Sequence, residues 1–230
     1  MNKVAVTLDV DWAPDFAIDL AAEILTEHGV RATWFVTHAS VAIDRLREND
    51  LFELGIHPNF LPRSTHGADD ASVLAHCLTL VPDALSMRTH GLYQSTPLLS
   101  RVMHDTPIEL DASLFLPGAS NLAPVRYAYG GGSLLRVPYV WEDDVAMENG
   151  DWDLDALLDR PGLNVLDFHP VHVALNSSSM ASYRALLAGG PLQDARADDA
   201  SVAEGYGTRT FFDALAHRLA SGGMQLRELL

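Results

Sequence analysis

Apolar segments that alternate between strand-like and helix-like spacing are the feature that most limits the folds open to this chain. Residues 4–8 form a run typical of a buried strand. Helical spacing follows over residues 16–25 and stops at Gly29, and a second apolar run occupies residues 32–36. A strand, a helix and a strand in this order make a β-α-β unit, which predicts parallel strands.

The same alternation continues, less regularly, along the rest of the sequence. We predict further strands near residues 51–56, 84–87, 108–110 and 163–168, and further helices near residues 41–48, 71–80, 96–104, 179–187 and 210–219. Residues 112–138 are rich in proline and glycine, which predicts a long irregular segment with short strands. Residues 189–207 are predicted to form a surface loop, and a short strand is predicted to end the chain. The sequence thus predicts an α/β fold with a mainly parallel sheet, open or closed into a barrel, in one domain over residues 1–230.

The composition argues against several classes of protein. Hydrophobic residues make up 48% of the chain, which favours a folded globular protein over a disordered one. A formal net charge of −16 argues against nucleic acid as a partner, because phosphates repel an acidic surface. No apolar run reaches the roughly 18 residues that a membrane-spanning helix needs. The single cysteine, Cys77, and the absence of a secretory leader lead us to expect a cytoplasmic protein, and the oligomeric state stays open.

Ionisable side chains directly follow several of the predicted strands. In parallel α/β folds, functional groups collect at the carboxyl edge of the sheet. Four separate strand ends carry such groups, namely Asp9 with Asp11, His57, Arg88 with His90, and His169 with His172. We therefore expect these residues to meet at one rim of the sheet.

Asp9 and Asp11 need a positively charged partner. Alternate residues of a strand point to the same side, so the two carboxylates are expected to face together and to repel each other. A divalent metal ion removes this repulsion, and carboxylate and imidazole ligands together suit zinc or a related ion. One aspartate and two histidines as ligands leave a coordination position open, which a catalytic site requires.

Five stretches, in this order, resemble the polysaccharide deacetylase superfamily, the proteins of NodB homology or carbohydrate esterase family 4. They are VTLDVDWAPD (6–15), GVRATWFV (29–36), ELGIHPNF (53–60), MRTHG (87–91) and FHPVHVALN (168–176). The resemblance is greatest to the branch tied to O-antigen and other surface-polysaccharide biosynthesis. It implies a distorted (β/α) barrel, one divalent metal ion with zinc preferred, and hydrolysis of an N-acetyl or O-acetyl group on a sugar.

The resemblance assigns roles to residues of the early motifs. A base aspartate followed by a metal-binding aspartate corresponds to Asp9 and Asp11, although the family's pair is adjacent and the two roles could be exchanged here. His57 corresponds to the first of two metal-binding histidines that lie four residues apart in the family, but the position four residues later holds leucine. The third ligand is then His66 or His90.

The later motifs imply roles in proton transfer. Arg88 corresponds to the arginine that orients the base, and His169 to the histidine that acts as general acid. A carboxylate would keep this imidazole protonated, and the candidates are Asp167 or an acid of WEDD (141–144) or DWDLD (151–155). In the implied reaction, metal-activated water attacks the acetyl carbonyl, the base aspartate takes its proton, and the acid protonates the leaving nitrogen or oxygen.

Trp12, Asn59 and His172 lie within these stretches and are expected to contact the substrate. Because a cytoplasmic protein is expected, a small or lipid-linked sugar precursor is favoured over a finished polymer. Two other functions stay open. One is metal-dependent hydrolysis of a non-sugar amide, and the other is a sugar-binding or assembly role without turnover.

Overall fold

A computed structural model describes residues 3–230, and over this range the chain forms nine β-strands and nine α-helices. The strands are β1 (Lys3–Asp9), β2 (Ala32–Val36), β3 (Phe52–Ile56), β4 (Ser86–Met87), β5 (Leu110–Phe115), β6 (Val125–Tyr129), β7 (Gly132–Tyr139), β8 (Trp141–Glu142) and β9 (Leu163–Phe168). The helices are α1 (Asp15–Glu27), α2 (Val41–Arg47), α3 (Asp70–Leu80), α4 (Thr96–Asp105), α5 (Asp143–Asn149), α6 (Leu154–Asp159), α7 (Pro170–Leu175), α8 (Ala181–Leu187) and α9 (Thr208–Leu219). None of the helices in this range is long and apolar enough to cross a membrane.

All nine strands belong to one sheet, in the order β6-β7-β5-β4-β3-β2-β1-β9-β8. Neighbouring strands are parallel throughout, except for the antiparallel pair β6 and β7. The prediction of an α/β fold with a mainly parallel sheet is therefore confirmed. Parallel pairing brings the carboxyl ends of β1, β3, β4 and β9 to one edge of the sheet.

The sheet curls towards a barrel but does not close. β7 pairs with β5 and β8 pairs with β9, yet β7 and β8 are separated in the chain by Val140 alone. The amide of Val140 donates a hydrogen bond of 3.0 Å to the carbonyl oxygen of Val165 in β9. One extended segment thus pairs with β5 at its start and with β9 at its end, which makes the predicted barrel a distorted and open one.

The two faces of the sheet pack in different ways. Val6 and Leu8 of β1 belong to a large apolar cluster that includes the buried faces of the helices. Ala5, on the alternating face, belongs to a smaller apolar cluster. The same alternation places Thr7 and Asp9 on the face of Ala5, and both side chains are buried. Ionisable groups therefore enter the interior of the curled sheet through the period-two pattern of β1.

The segment 112–138 is more regular than the sequence predicts. β5 extends to Phe115, and residues 125–139 form the β6–β7 hairpin around Gly130 and Gly131, which adopt φ values of 60° and 90°. Such positive φ values favour glycine. The predicted short strands are present, but they pair as a regular hairpin, and no helix or strand lies between β5 and β6 in the part of the chain that the structure describes. The sequence does not predict the hairpin because β6 is exposed on most positions of both faces and so lacks an apolar alternation.

The predicted terminal strand is also wrong, because residues Leu226–Leu229 form a 3₁₀ turn instead. The Glu228 carboxylate accepts a hydrogen bond of 2.6 Å from the backbone amide of Gln225 and so caps this turn. The short helices α5, α6 and α7 are likewise additional to the predicted elements. Each has six or seven residues, which is too short to produce a clear helical period in the sequence.

Candidate active site

Three side chains from different strand ends converge at the carboxyl edge of the sheet. Asp11 follows β1, His57 follows β3, and His90 begins a 3₁₀ turn shortly after β4. The sequence predicts that strand-end residues meet at this rim. β1, β3 and β4 belong to one run of parallel strands, so their carboxyl ends lie at the same edge of the sheet.

The ligand atoms of this cluster are close enough to bind one metal ion. Oδ1 of Asp11 lies 3.1 Å from Nε2 of His57 and 2.9 Å from Nδ1 of His90, and the two nitrogens are 3.3 Å apart. Ligand atoms around a tetrahedral zinc ion, each bound at about 2.0–2.2 Å, are separated by about 3.3–3.6 Å. One carboxylate and two imidazoles also have the chemistry that zinc prefers. The cluster therefore fits a divalent ion of this kind.

Asp11 reaches the cluster because the backbone changes direction after β1. Asp11 and Trp12 adopt left-handed conformations, with φ values of 45° and 55°, which are uncommon for residues that carry a Cβ. The amide of Trp12 donates a hydrogen bond of 3.0 Å to the Thr37 hydroxyl, which holds this turn. Nε2 of His57 is 3.1 Å from Asp11 and 3.7 Å from Oδ2 of Asp9, so both carboxylates face the same imidazole.

Asp9 is held by Arg88 rather than by the histidine cluster. Nη1 of Arg88 donates a hydrogen bond of 2.9 Å to Oδ1 of Asp9 and also contacts Oδ1 of Asp167. The guanidinium is fully buried between the rings of Phe35 and Tyr139, with its central carbon 4.8 Å and 4.4 Å from the two ring centroids. Arg88 therefore occupies a fixed position from which it orients the Asp9 carboxylate.

Burial is the largest influence on the pKa values of Asp9 and Asp167. Removal from water raises the pKa of Asp9 to about 6, and the charge of Arg88 opposes this rise without cancelling it. Burial raises the pKa of Asp167 as well, and the nearby charge of Asp9 adds to the effect. A carboxylate whose pKa lies close to neutrality is well suited to accept a proton during a reaction.

His169 carries a carboxylate partner on the side facing away from the cluster. Its Nδ1 lies 2.7 Å from Oδ1 of Asp143, and its backbone amide donates a hydrogen bond of 2.9 Å to Oδ2 of the same residue. Nε2 points towards the cluster and lies 3.7 Å from Oδ2 of Asp11. Burial lowers the pKa of His169, but the charges of Asp143 and Asp144 outweigh it and hold the pKa well above its ordinary value.

Asp143 belongs to the WEDD stretch, one of the alternatives that the sequence leaves open for the partner of His169. Asp167, the other named candidate, lies instead beside Arg88 and accepts a hydrogen bond of 2.8 Å from the Thr7 hydroxyl. Asp143 reaches the histidine because α5 begins directly after β8, the strand that pairs with β9.

His66 lies outside the cluster, so of the two alternatives for the third ligand the structure brings only His90 to the other two. Nε2 of His66 is 2.8 Å from the carbonyl oxygen of Thr37, and its Nδ1 accepts a hydrogen bond of 3.1 Å from the amide of Asn59. Both ring nitrogens are thus engaged by backbone groups, which leaves neither free to bind a metal. His66 instead supports the loop that follows His57.

Two of the residues expected to contact substrate line a groove beside the cluster. Trp12 stands between the ring of His90 and that of His66, with centroid separations of 5.3 Å to each. Trp12 and Asn59 both line an open groove of about 600 Å³ that also borders Leu192. The third residue, His172, is buried elsewhere, with its Nε2 2.9 Å from Oδ1 of Asp144. The structure therefore separates His172 from this groove.

Solved structures with little sequence identity to this chain share its fold. The fold is that of the NodB-type deacetylases. Peptidoglycan deacetylase PdaC from Bacillus subtilis is similar with a TM-score of 0.51 at 10% identity, over 99% of this chain and 89% of that chain. BA3943 from Bacillus anthracis, a pseudoenzyme of carbohydrate esterase family 4, is similar with a TM-score of 0.52 at 13% identity, over 99% of this chain and 65% of that chain.

More particularly, the chain belongs to the WbmS-like polysaccharide deacetylase family, whose sequence profile matches residues 6–187. An inferred polysaccharide deacetylase involved in O-antigen biosynthesis, from Bordetella bronchiseptica, is similar with a TM-score of 0.81. The two chains are 35% identical over 94% of this chain and 90% of that chain. Comparison with curated proteins gives no match.

Proposed function

We propose that the protein is a metal-dependent hydrolase that removes an acetyl group from an N-acetylated or O-acetylated sugar precursor of a surface polysaccharide. One observation carries the proposal. The metal-binding cluster of Asp11, His57 and His90 lies between an arginine-held carboxylate, Asp9, and a carboxylate-held imidazole, His169. Deacetylation by hydrolysis requires these three functions side by side.

Asp11, His57 and His90 would hold the divalent ion, with zinc the proposed species. When bound, such an ion supplies Lewis-acid polarisation of the acyl carbonyl and of a water molecule. The protein's contribution is to fix the ligands on three strand ends of a rigid sheet. His57 is almost fully buried, which shields this side of the site from bulk water.

The two aspartates divide the roles that the sequence leaves exchangeable. Oδ1 of Asp11 is already within 3.1 Å of both imidazoles, which supports Asp11 as the ligand. Asp9 is held by Arg88, and its raised pKa supports Asp9 as the general base that accepts a proton from water. Arg88 then acts as a positioning residue for the base.

His169 would supply the proton for the leaving group. Its Nδ1 is tied to Asp143, so the proton on Nε2 is the one that faces the cluster. Transfer of this proton to the sugar nitrogen or oxygen completes the cleavage, and Asp143 stabilises the imidazolium before the transfer.

The substrate proposal rests on the groove and on the family. Trp12 presents an aromatic ring at the groove, where a sugar ring can stack. The relative from Bordetella bronchiseptica is tied to O-antigen biosynthesis, which supports a sugar precursor of a surface polysaccharide. A small or lipid-linked sugar in the cytoplasm remains the specific form that we propose.

Acetate release from a panel of N-acetylated and O-acetylated sugar nucleotides tests the proposal directly. We expect release from at least one sugar, its loss in the presence of a chelator, and its return on addition of zinc. Release that a chelator does not affect would contradict the metal-dependent reaction. A metal-loaded protein inactive on every sugar but active on a non-sugar amide would move the assignment to an amidohydrolase.

A further inference from the structure

A second carboxylate and imidazole cluster lies beside the first and includes His169. Oδ1 of Asp144 is 2.9 Å from Nε2 of His172, and a ligand atom of each of these residues lies within 4.8 Å of one on His169. We propose that Asp144, His169 and His172 form a second divalent-cation site, whose occupancy prevents His169 from donating a proton.

Each imidazole of this second cluster is oriented by an oxygen atom at its Nδ1. The Asp143 carboxylate lies 2.7 Å from Nδ1 of His169, and the Ser177 hydroxyl lies 3.2 Å from Nδ1 of His172. With each Nδ1–H donated to these oxygens, the lone pair of each Nε2 is left for a ligand. Hydrogen bonds that fix the tautomer in this way are typical of histidines that bind metals.

The second cluster combines buried imidazoles with a carboxylate that solvent can reach. The side chain of His172 is 3% exposed, whereas that of Asp144 is 39% exposed. An ion can therefore enter from the side of α5, while the two histidines hold it from within. One carboxylate and two imidazoles form the same ligand set as in the first cluster.

A third group of nearby ligand atoms is not proposed as a cation site. Asp9, Asp167 and His169 also lie within 4.8 Å of one another. Arg88 contacts both carboxylates of that group and already supplies their positive partner. By contrast, no arginine or lysine among residues 3–230 is paired with Asp144 in the structure.

Occupancy of the second site would compete with the proposed role of His169. An ion held by Nε2 requires that nitrogen without its proton, so no proton is present there to give to the leaving group. The release of one proton from Nε2 on binding balances the step. The binding site stands on geometry alone, whereas the resulting inhibition rests on the proposed deacetylation.

Equilibrium dialysis of the metal-free full-length protein against zinc chloride, followed by elemental analysis, tests the site without an activity assay. We expect two zinc ions per chain in the wild type and one in both Asp144→Asn and Asp11→Asn. Glu148→Gln removes the same charge from an exposed position of α5 and should still bind two. Ser177→Ala is expected to weaken the second binding step by about 10–100-fold.

One ion per chain in the wild type, or two in both Asp144→Asn and Ser177→Ala with unchanged affinities, would overturn the second site. Acetate release at increasing zinc tests its consequence separately. We expect activity to rise with the first equivalent and to fall as the second binds. Two bound ions with undiminished acetate release would refute the inhibition but would leave the second binding site supported. The absence of acetate release at every zinc concentration would instead count against the proposed function.

Discussion

At the scale of single residues, Asp9 and Asp11 show how two similar carboxylates acquire different partners. Asp9 ends β1 and keeps the strand's direction, so it points into the buried interior where Arg88 lies. Asp11 itself adopts a left-handed conformation and faces His57 and His90 instead. The difference therefore accompanies the change of backbone direction after β1, since the two side chains have the same chemistry.

Asp9→Asn removes the proposed base while keeping the shape of the side chain. We expect kcat for acetate release to fall by about 10²–10⁴-fold, the range typical of a lost general base. Zinc content should stay at the wild-type level because Asp9 is held by Arg88. Glu23→Gln, on the exposed face of α1, is the control and should leave kcat unchanged. Full activity in Asp9→Asn would show that Asp9 is not the base.

His90→Gln and His66→Gln together decide which histidine completes the metal cluster. His90 lies 2.9 Å from the Asp11 carboxylate, whereas both nitrogens of His66 are engaged by backbone groups. We expect His90→Gln to lose most of the zinc bound at this cluster and His66→Gln to retain it, as measured by elemental analysis after dialysis. The opposite pattern would transfer the role to His66.

His66 should also contribute to the pH dependence of stability. Burial lowers its pKa from the ordinary value of 6.5 to about 4, so between these pH values the unfolded chain binds a proton that the folded chain does not. The free energy of unfolding therefore falls as the pH falls through this window. In urea titrations at pH 7 and pH 5, His66→Gln should lose less stability than the wild type. Equal losses would contradict this reading of His66.

The sequence predicts the strand-end residues but not which of them touch. Asp9, Asp11, His57 and His90 could be named because parallel strands share a carboxyl edge. The partner of His169 could not be chosen among several acids, since that choice depends on where α5 begins relative to β9. Such a contact is set by tertiary packing and leaves no local signal in the sequence.

At the scale of elements, the C-terminal 3₁₀ turn is hydrogen-bonded to buried side chains of β2 and β3. The Thr33 hydroxyl accepts a hydrogen bond of 2.9 Å from the amide of Leu226 and donates one of 2.8 Å to Glu53. The Glu53 carboxylate in turn accepts a hydrogen bond of 2.9 Å from the amide of Arg227. These bonds join segments that are more than 170 residues apart in the chain.

Thr33→Val keeps the shape of the side chain and removes both hydrogen bonds. The Leu226 amide then lacks its partner, and we expect the free energy of unfolding to fall by about 1–3 kcal/mol. Chemical denaturation measures the change. Thr79→Val, at an exposed position of α3, is the control and should change stability by less than about 0.5 kcal/mol. A loss no larger than in the control would show that this attachment does not stabilise the fold.

Buried elements can be predicted from the sequence more easily than exposed or short ones. β1, β2 and β9 are buried along nearly their whole length, and their apolar runs are visible in the sequence. β6 is exposed and α7 has six residues, so neither has a period that local analysis can detect. The sequence predicts a strand at the terminal turn because its apolar residues are compatible with either structure.

At the scale of the whole molecule, the curled sheet is what creates the site. The order of the strands places β1 with β2, β3 and β4 on one side and β9 on the other. The proposed metal ligands follow β1, β3 and β4, and the proposed proton donor, His169, follows β9. The link between β7 and β8 at Val140 brings Asp143 beside His169. No part of the chain could form this site on its own.

The central claim is that Asp11, His57 and His90 bind one divalent cation. A crystal structure of the zinc-loaded protein, with anomalous diffraction recorded on both sides of the zinc absorption edge, tests it most directly. We predict an anomalous peak at about 2.0–2.2 Å from Oδ1 of Asp11, Nε2 of His57 and Nδ1 of His90. A fully loaded protein with no peak among these three atoms would contradict the account.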